Sequence, residues 1–180
     1  MDAPTDCSPR GSYVNEYFQY VTMKGKLGVV LAAVTHRGLC ALLLGDDRDS
    51  LEREFRNEFP DELADYSAYG LEGIGAMLVR LTETPRIGVS LPLDVKGSSF
   101  QLAVWNALRE IPPGETRTYS NIARQIHAPA DGIAVAEACL ANRIAVAIPC
   151  HRAVADNDQI GVYRWGIARK RALLRIEAAA

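Results

Sequence analysis

The chain has 180 residues, of which 48% are apolar, and a formal net charge of -2. That is enough for one compact core in one or two lobes, and with no apolar run near the ~20 residues a membrane helix needs, a membrane partner is not expected. Cys7, Cys40, Cys139 and Cys150 have no short paired spacing, which argues against a disulfide framework and a zinc ribbon, so neither a metal nor a cofactor is expected.

The overall charge does not suggest a nucleic-acid partner, but it is unevenly spread. Residues 1–98 carry 10 basic and 15 acidic side chains; residues 99–180 carry 10 and 7, and nine of those ten cations are arginines. Any polyanion binding therefore belongs to the second half.

Met1 to Ser12 holds acidic residues, two prolines and no apolar h-region, so residues 1–15 are expected to be a disordered tail rather than a secretory signal. A cytoplasmic location follows from that reading. Tyr17 to Met23, Leu27 to Val34 and Leu39 to Leu44 are apolar runs separated by Lys24-Gly25-Lys26 and His36-Arg37-Gly38, the pattern of an antiparallel meander. His36 and Cys40 are better read as a turn histidine beside a strand cysteine than as metal ligands. Asp49 or Ser50 is expected to cap a helix over Leu51 to Phe59, stopped by Pro60, and Leu71 to Leu81 has helical spacing before Pro85. Residues 16–90 thus form one domain without a chemical signature, and 91–98 form a linker.

Residues 99–178 read as mainly helical. Ser98 or Ser99 caps a helix through Leu108 with an apolar stripe of Phe100, Val104, Trp105 and Leu108, and Gly114-Glu115-Thr116 makes a turn. Tyr119 to Ile126 and Asp131 to Asn142, split by His127-Ala128-Pro129, outline a helix-turn-helix. The second helix is rich in small residues, including Ala134, which suits either close packing or entry into a groove.

Ile144 to Arg152 reads Ile-Ala-Val-Ala-Ile-Pro-Cys-His-Arg, an apolar strand or extended segment that delivers Cys150 to a fixed place. Bringing a thiol pKa from its ordinary ~8.5 to ~7 needs roughly 2 kcal/mol of selective anion stabilisation. His151 and Arg152 are the local candidates, and on an extended backbone His151 reaches the sulfur through a water. Taken alone, Cys150 is more readily read as a buried small apolar residue.

Pro149-Cys150-His151-Arg152 after an apolar run, with Asn142 eight residues upstream, resembles the active-site signature of the O6-alkylguanine-DNA alkyltransferases, also called methylated-DNA-protein-cysteine methyltransferases. The likeness extends through Phe100 to Trp105, Ile111 to Thr116, Tyr163 to Gly166 and Leu173 to Glu177. Residues 40–47 and 91–97 are similar to the amino-terminal half of bacterial members of the adaptive-response type. The resemblance implies an α/β (α+β) fold, with a ribonuclease-H-like β-meander support domain and a helical, winged-helix-like domain that accepts the alkyl group. It implies a monomer that flips O6-alkylguanine, and O4-alkylthymine, out of double-stranded DNA from the minor groove and transfers the alkyl group irreversibly to Cys150.

The residues carried over are Cys150, the His151 and Glu177 of a water-linked relay, and Asn142, which bonds near the thiol. For the substrate and DNA they are Tyr119, Ile133, Ala134, Arg152, Ala153, Tyr163, Arg164 and Trp165. Without the resemblance, Glu177 is a solvated helix-end acid and Tyr119 a capping aromatic. Trp165 stands where some members have a smaller residue, which implies a narrower entrance for bulky adducts. Ile133 stands where the family has an arginine that fills the gap left by the flipped nucleotide. An isoleucine can still wedge between bases, but the lost cation, with Asp131 and Glu137 on the same helix, implies weaker DNA binding. The alternatives are a DNA-lesion-binding or regulatory paralogue with weak transfer, and a cysteine hydrolase using Cys150 and His151.

Overall fold

The computed structural model describes residues 17–60, 63–66, 70–88, 90–127, 131–157 and 159–179. The expected tail and residues 128–130, between the two short helices, lie outside the described residues.

Three apolar runs separated by tight turns form the expected meander: β1 (Tyr17–Gly25), β2 (Gly28–Thr35) and β3 (Gly38–Gly45), each antiparallel to the next. Gly28 and Gly38 sit in the left-handed half of φ space, and a Cβ on either would fall 2.3 Å from the Gly45 carbonyl or 2.2 Å from that of Pro92. A fourth strand, β4 (Leu63–Tyr66), pairs parallel to β1, giving the order β3-β2-β1-β4. Helix α1 (Arg48–Glu58) packs on β2 and β3, and α2 (Glu72–Glu83) packs on β1 and β2. Phe18, Tyr20, Phe55 and Phe59 form an aromatic cluster between α1 and the sheet, with centroids 5.0 to 6.2 Å apart.

One helix start differs from expectation. Asp47, not Asp49 or Ser50, caps α1: its backbone is extended and its carboxylate accepts from the Ser50 amide at 2.8 Å. Asp49 falls instead inside the first turn, where an acid interacts favourably with the helix dipole.

In the second half, Ser98 caps α3 (Ser99–Arg109) in a reciprocal box with Gln101. The two-residue strand β5 (Arg117–Thr118) leads into α4 (Tyr119–Gln125), capped by Thr118, and α5 (Gly132–Leu140) is capped by Asp131. Helices α4 and α5 pack together as the helix-turn-helix, and the Trp105 indole of α3 donates to the Ala138 carbonyl of α5 at 2.8 Å. Strand β6 (Ala153–Val154) pairs parallel to β5, and α6 (Ile167–Ala178) closes the chain onto the site.

The segment leading to Cys150 is neither the strand nor the extended segment expected. Ile144 makes a single bridge to Leu42, after which Val146 adopts φ 64 and the chain folds into tight turns, ending in a 3-10 turn over Cys150–Arg152. A β-branched residue in that region is strained, so the apolar character of the run reflects burial in a coiled turn rather than strand pairing. The bridge still anchors it, because the Leu42 amide donates to the Arg143 carbonyl (2.9 Å) and the Ala145 amide donates to that of Leu42 (2.8 Å).

The cap assignment yields a measurable contrast. Asp47→Ala should lower the urea midpoint clearly, and Asp49→Ala by much less, in denaturation of the two variants beside the parent.

Candidate active site

Cys150 opens its 3-10 turn directly after Pro149, with 1% of its surface exposed. The side chain of Asn142, itself fully buried at the end of the helix-turn-helix, organises the loop that carries it. Its Oδ1 accepts from the Ile144 amide at 2.8 Å, while Nδ2 donates to the Ile148 carbonyl at 3.0 Å and to Cys150 Sγ at 3.1 Å. One amide thus folds the turn and offers the sulfur a donor.

His151 turns away from solvent toward Glu177 on α6, with Nε2 2.9 Å from Oε1. The same carboxylate accepts from Arg152 through Nη2 (2.8 Å) and Nε (3.1 and 3.2 Å) and from the Gly114 amide (3.1 Å). Burial would raise the Glu177 pKa, but the hydrogen bonds from His151 and Arg152 outweigh it and hold the carboxyl at about 2. Burial also lowers His151, so its ring is neutral near pH 7. Because an ionised carboxylate only accepts, the ring proton lies on Nε2. Nδ1 is left as a buried base with no hydrogen-bond partner among the described residues.

Burial pushes the Cys150 thiol well above its ordinary pKa, and the neighbouring Cys139 thiol adds to this; the Asn142 amide and the Lys170 ammonium act against it. The resting sulfur is therefore a protonated thiol that needs a proton acceptor at the moment of attack. Lys170 is itself fully buried and donates to the carbonyls of Ala153 and Val162 (2.9 Å) and to Tyr119 Oη (3.5 Å). Burial lowers its pKa to about 8. The Tyr119 phenol, held by both backbone groups of Val162, is pushed up to about 12, first by burial and then by Cys139. A Cβ at Gly161 would fall 2.5 Å from that hydroxyl. Tyr163 packs edge-on to His151 (6.4 Å) and to Trp165 (5.2 Å), forming a buried aromatic wall.

The structure thus gathers Cys150, His151, Glu177, Asn142, Tyr119, Tyr163 and Trp165. Arg152 and Ala153, grouped with the DNA contacts by resemblance, are buried behind the thiol, and the Arg152 guanidinium is taken up by Glu177 and the Ile111 carbonyl. Arg164 faces α1 rather than the thiol. Ile133 stands apart on the outer side of α5, 69% exposed, with Ala134 half-buried beside it. Lys170 and Cys139 were not anticipated. Lys170, Leu173 and Glu177 share one buried stripe of α6 at spacings of three and four, and a lone lysine among arginines at that spacing was the available signal.

Residues 99–179 match the family described as 6-O-methylguanine DNA methyltransferase, DNA binding domain. The bifunctional transcriptional activator/DNA repair enzyme Ada of Escherichia coli is 43% identical over 165 residues; the match takes in 89% of this chain but 45% of that protein, so the chain spans less than half its length. The inducible methylated-DNA-protein-cysteine methyltransferase of Bacillus subtilis is 37% identical, over 82% of this chain and 83% of its own. Mycobacterium tuberculosis OGT in complex with DNA superposes with a TM-score of 0.70 at 32% identity, covering 91% of this chain and 93% of that one.

Because the Glu177 carboxyl titrates far below its ordinary 4.5, its ionised contacts stabilise the fold fully above that pH and lose their contribution as the pH falls toward about 2. Glu177→Gln, which leaves Arg152 buried without a counter-charge, should cost about 3 kcal/mol at pH 7. In denaturant titrations at stepped pH, the gap between variant and parent should close between pH 4.5 and 2.

Proposed function

The chain belongs to the methylated-DNA-protein-cysteine methyltransferases, and from that premise we propose that it removes the alkyl group from O6-alkylguanine, and from O4-alkylthymine, in double-stranded DNA onto its own Cys150. The observation that carries this reading is the pairing of a buried thiol, hydrogen-bonded by Asn142, with a neutral His151 whose Nε2 is fixed by Glu177 and whose Nδ1 has no partner among the described residues. Sγ attacks the alkyl carbon; the S–C bond forms and the C–O6 bond breaks, its electron pair passing into the guanine ring. The thiol proton passes through a water to Nδ1, and the imidazolium is stabilised by the ionised Glu177. Tyr119, still protonated at any physiological pH, is the donor to the departing base. The thioether product has no route back, so each molecule acts once.

A base inside a duplex cannot reach a thiol that is 1% exposed, so the nucleotide has to leave the stack. Helix α5 supports minor-groove entry, with its small residues and with Ile133 exposed at its first turn as an apolar wedge. The protein is read as a monomer without metal or cofactor. A chemistry that consumes a reduced thiol suits the cytoplasm, and the described cysteines Cys40, Cys139 and Cys150 are all free.

Two experiments test this. Incubation with an oligonucleotide containing O6-methylguanine should add one methyl per chain, mapped to Cys150, and Cys150→Ser should remain unmodified; an adduct on Cys40 or Cys139 would refute the assignment. Ile133→Arg should speed repair in duplex DNA and steepen the salt dependence of binding by up to about one unit of slope, with the gain confined to duplex substrates. A rate unchanged or slower would make Ile133 a competent wedge.

A further inference from the structure

The densest ionic cluster outside the thiol and its relay lies where α1 of the amino-terminal half meets the aromatic wall. Glu58 spreads its two oxygens between two arginines: Oε2 lies 2.7 Å from Arg143 Nε, and Oε1 accepts from Arg164 Nη2 at 2.7 Å. One turn earlier, Glu54 Oε1 accepts from Nη2 and Nε of the same Arg164, at 3.0 and 3.3 Å. Both arginines occupy telling places. Arg143 adjoins Asn142, the donor to the sulfur, and its guanidinium lies 4.9 Å over the Phe59 ring. Arg164 stands between Tyr163 and Trp165, the two residues of the wall.

The chain just before the wall is held at Val162, whose backbone bonds to Tyr119 and Lys170, and Arg164 also donates to the Leu140 carbonyl at 3.4 Å. On the wall's other side stands Gly166 at φ 92, where a Cβ would meet none of the described residues within 4 Å and the backbone has room to swing. Arg169 adds one tie, donating to the carbonyls of Trp165 (3.0 Å) and Leu27 (2.8 Å). An isolated surface pair contributes little, but a planar fork that engages carboxylates on successive helical turns fixes direction as well as distance.

We propose that Glu58, assisted by Glu54, is a positioning residue for alkyl transfer: by holding Arg164 and Arg143 from α1, it fixes how far the Tyr163–Trp165 wall can move away from Cys150, and so the size of the alkyl group accepted. The proposal rests on the alkyl-transfer reading above. The amino-terminal half then acts on specificity without touching the substrate.

The test uses the full chain and two free bases, O6-methylguanine and O6-benzylguanine, so that DNA affinity drops out. The measured quantity is the ratio of their second-order rate constants, from which any common loss of folded protein divides away. Glu58→Gln and Arg164→Lys should each raise the benzyl-to-methyl ratio about fivefold. Glu52→Gln, on the same helix but paired with Arg48, should keep the parent ratio. Amide exchange at Gly166, whose N–H donates to the Tyr163 carbonyl at 3.1 Å, should quicken in the first two variants. Ratios within about twofold of the parent in both variants would overturn the proposal and leave Glu58 as inter-half glue. Should Glu58→Gln not fold, Arg164→Lys decides alone. Should the parent transfer nothing from either base or from the O6-methylguanine oligonucleotide, the alkyl-transfer reading fails, and unchanged Gly166 exchange separately overturns the clamp.

Discussion

A single buried carboxylate, that of Glu177, holds the carboxy-terminal half in register. It draws in the Cys150–Arg152 turn through His151 and Arg152, and the Gly114 turn through a backbone amide. The Glu177 carbonyl also accepts from Arg86 in the 3-10 turn after α2. An ion taken out of water costs several kcal/mol unless its lone pairs are filled, and these are filled by groups from separate stretches of chain. The geometry of each stretch is therefore conditional on the others. The carboxylate that would orient the histidine is also the one that makes the surrounding backbone possible.

The electrostatics around the thiol work by opposition. Desolvation keeps the sulfur protonated, while Asn142 and Lys170 favour its anion. Burial lowers Lys170 to about 8, and negative charge on either neighbouring sulfur would act against that shift. Such a balance favours a nucleophile that stays inert until a substrate brings an alkyl carbon within reach. The turn that presents it carries its own strain at Val146, held in place by the bridge to Leu42 and by three hydrogen bonds from the Asn142 amide nitrogen.

Local signals were the legible ones. The meander follows from apolar runs and turn residues and the α3 cap from a serine at its start, while the candidate site was named through the family resemblance of Pro-Cys-His-Arg with Asn142 upstream. Features set by distant partners were not legible. The strand-like run before Cys150 coils because Asn142 claims its amides and carbonyls, β4 pairs with β1 from across an intervening helix, and Lys170 is buried because carbonyls from β6 and the loop before Tyr163 converge on it. In α1 the expected cap fell on Asp49 or Ser50, but the chain is still extended at Asp47, which takes that place. Arg152 and Arg164 look like cations for phosphate in a linear reading; each is instead matched by acids far away in sequence.

Strand β3 is the edge of its sheet, with β2 on one side. Its other side is covered by short contacts from two later segments: Leu39 bonds to Pro92 and Asp94, and Leu42 bonds to Arg143 and Ala145. The strand itself, Gly-Leu-Cys-Ala-Leu-Leu-Leu-Gly, carries no charge and no proline, the devices by which exposed edges resist pairing with other chains. During synthesis this edge stays open until about a hundred further residues have left the ribosome, since the Ala145 amide is its last cover. The segment that carries Cys150 thus doubles as the seal on an aggregation-prone edge, and the nascent protein is most exposed to misassembly in the interval before Cys150 is made.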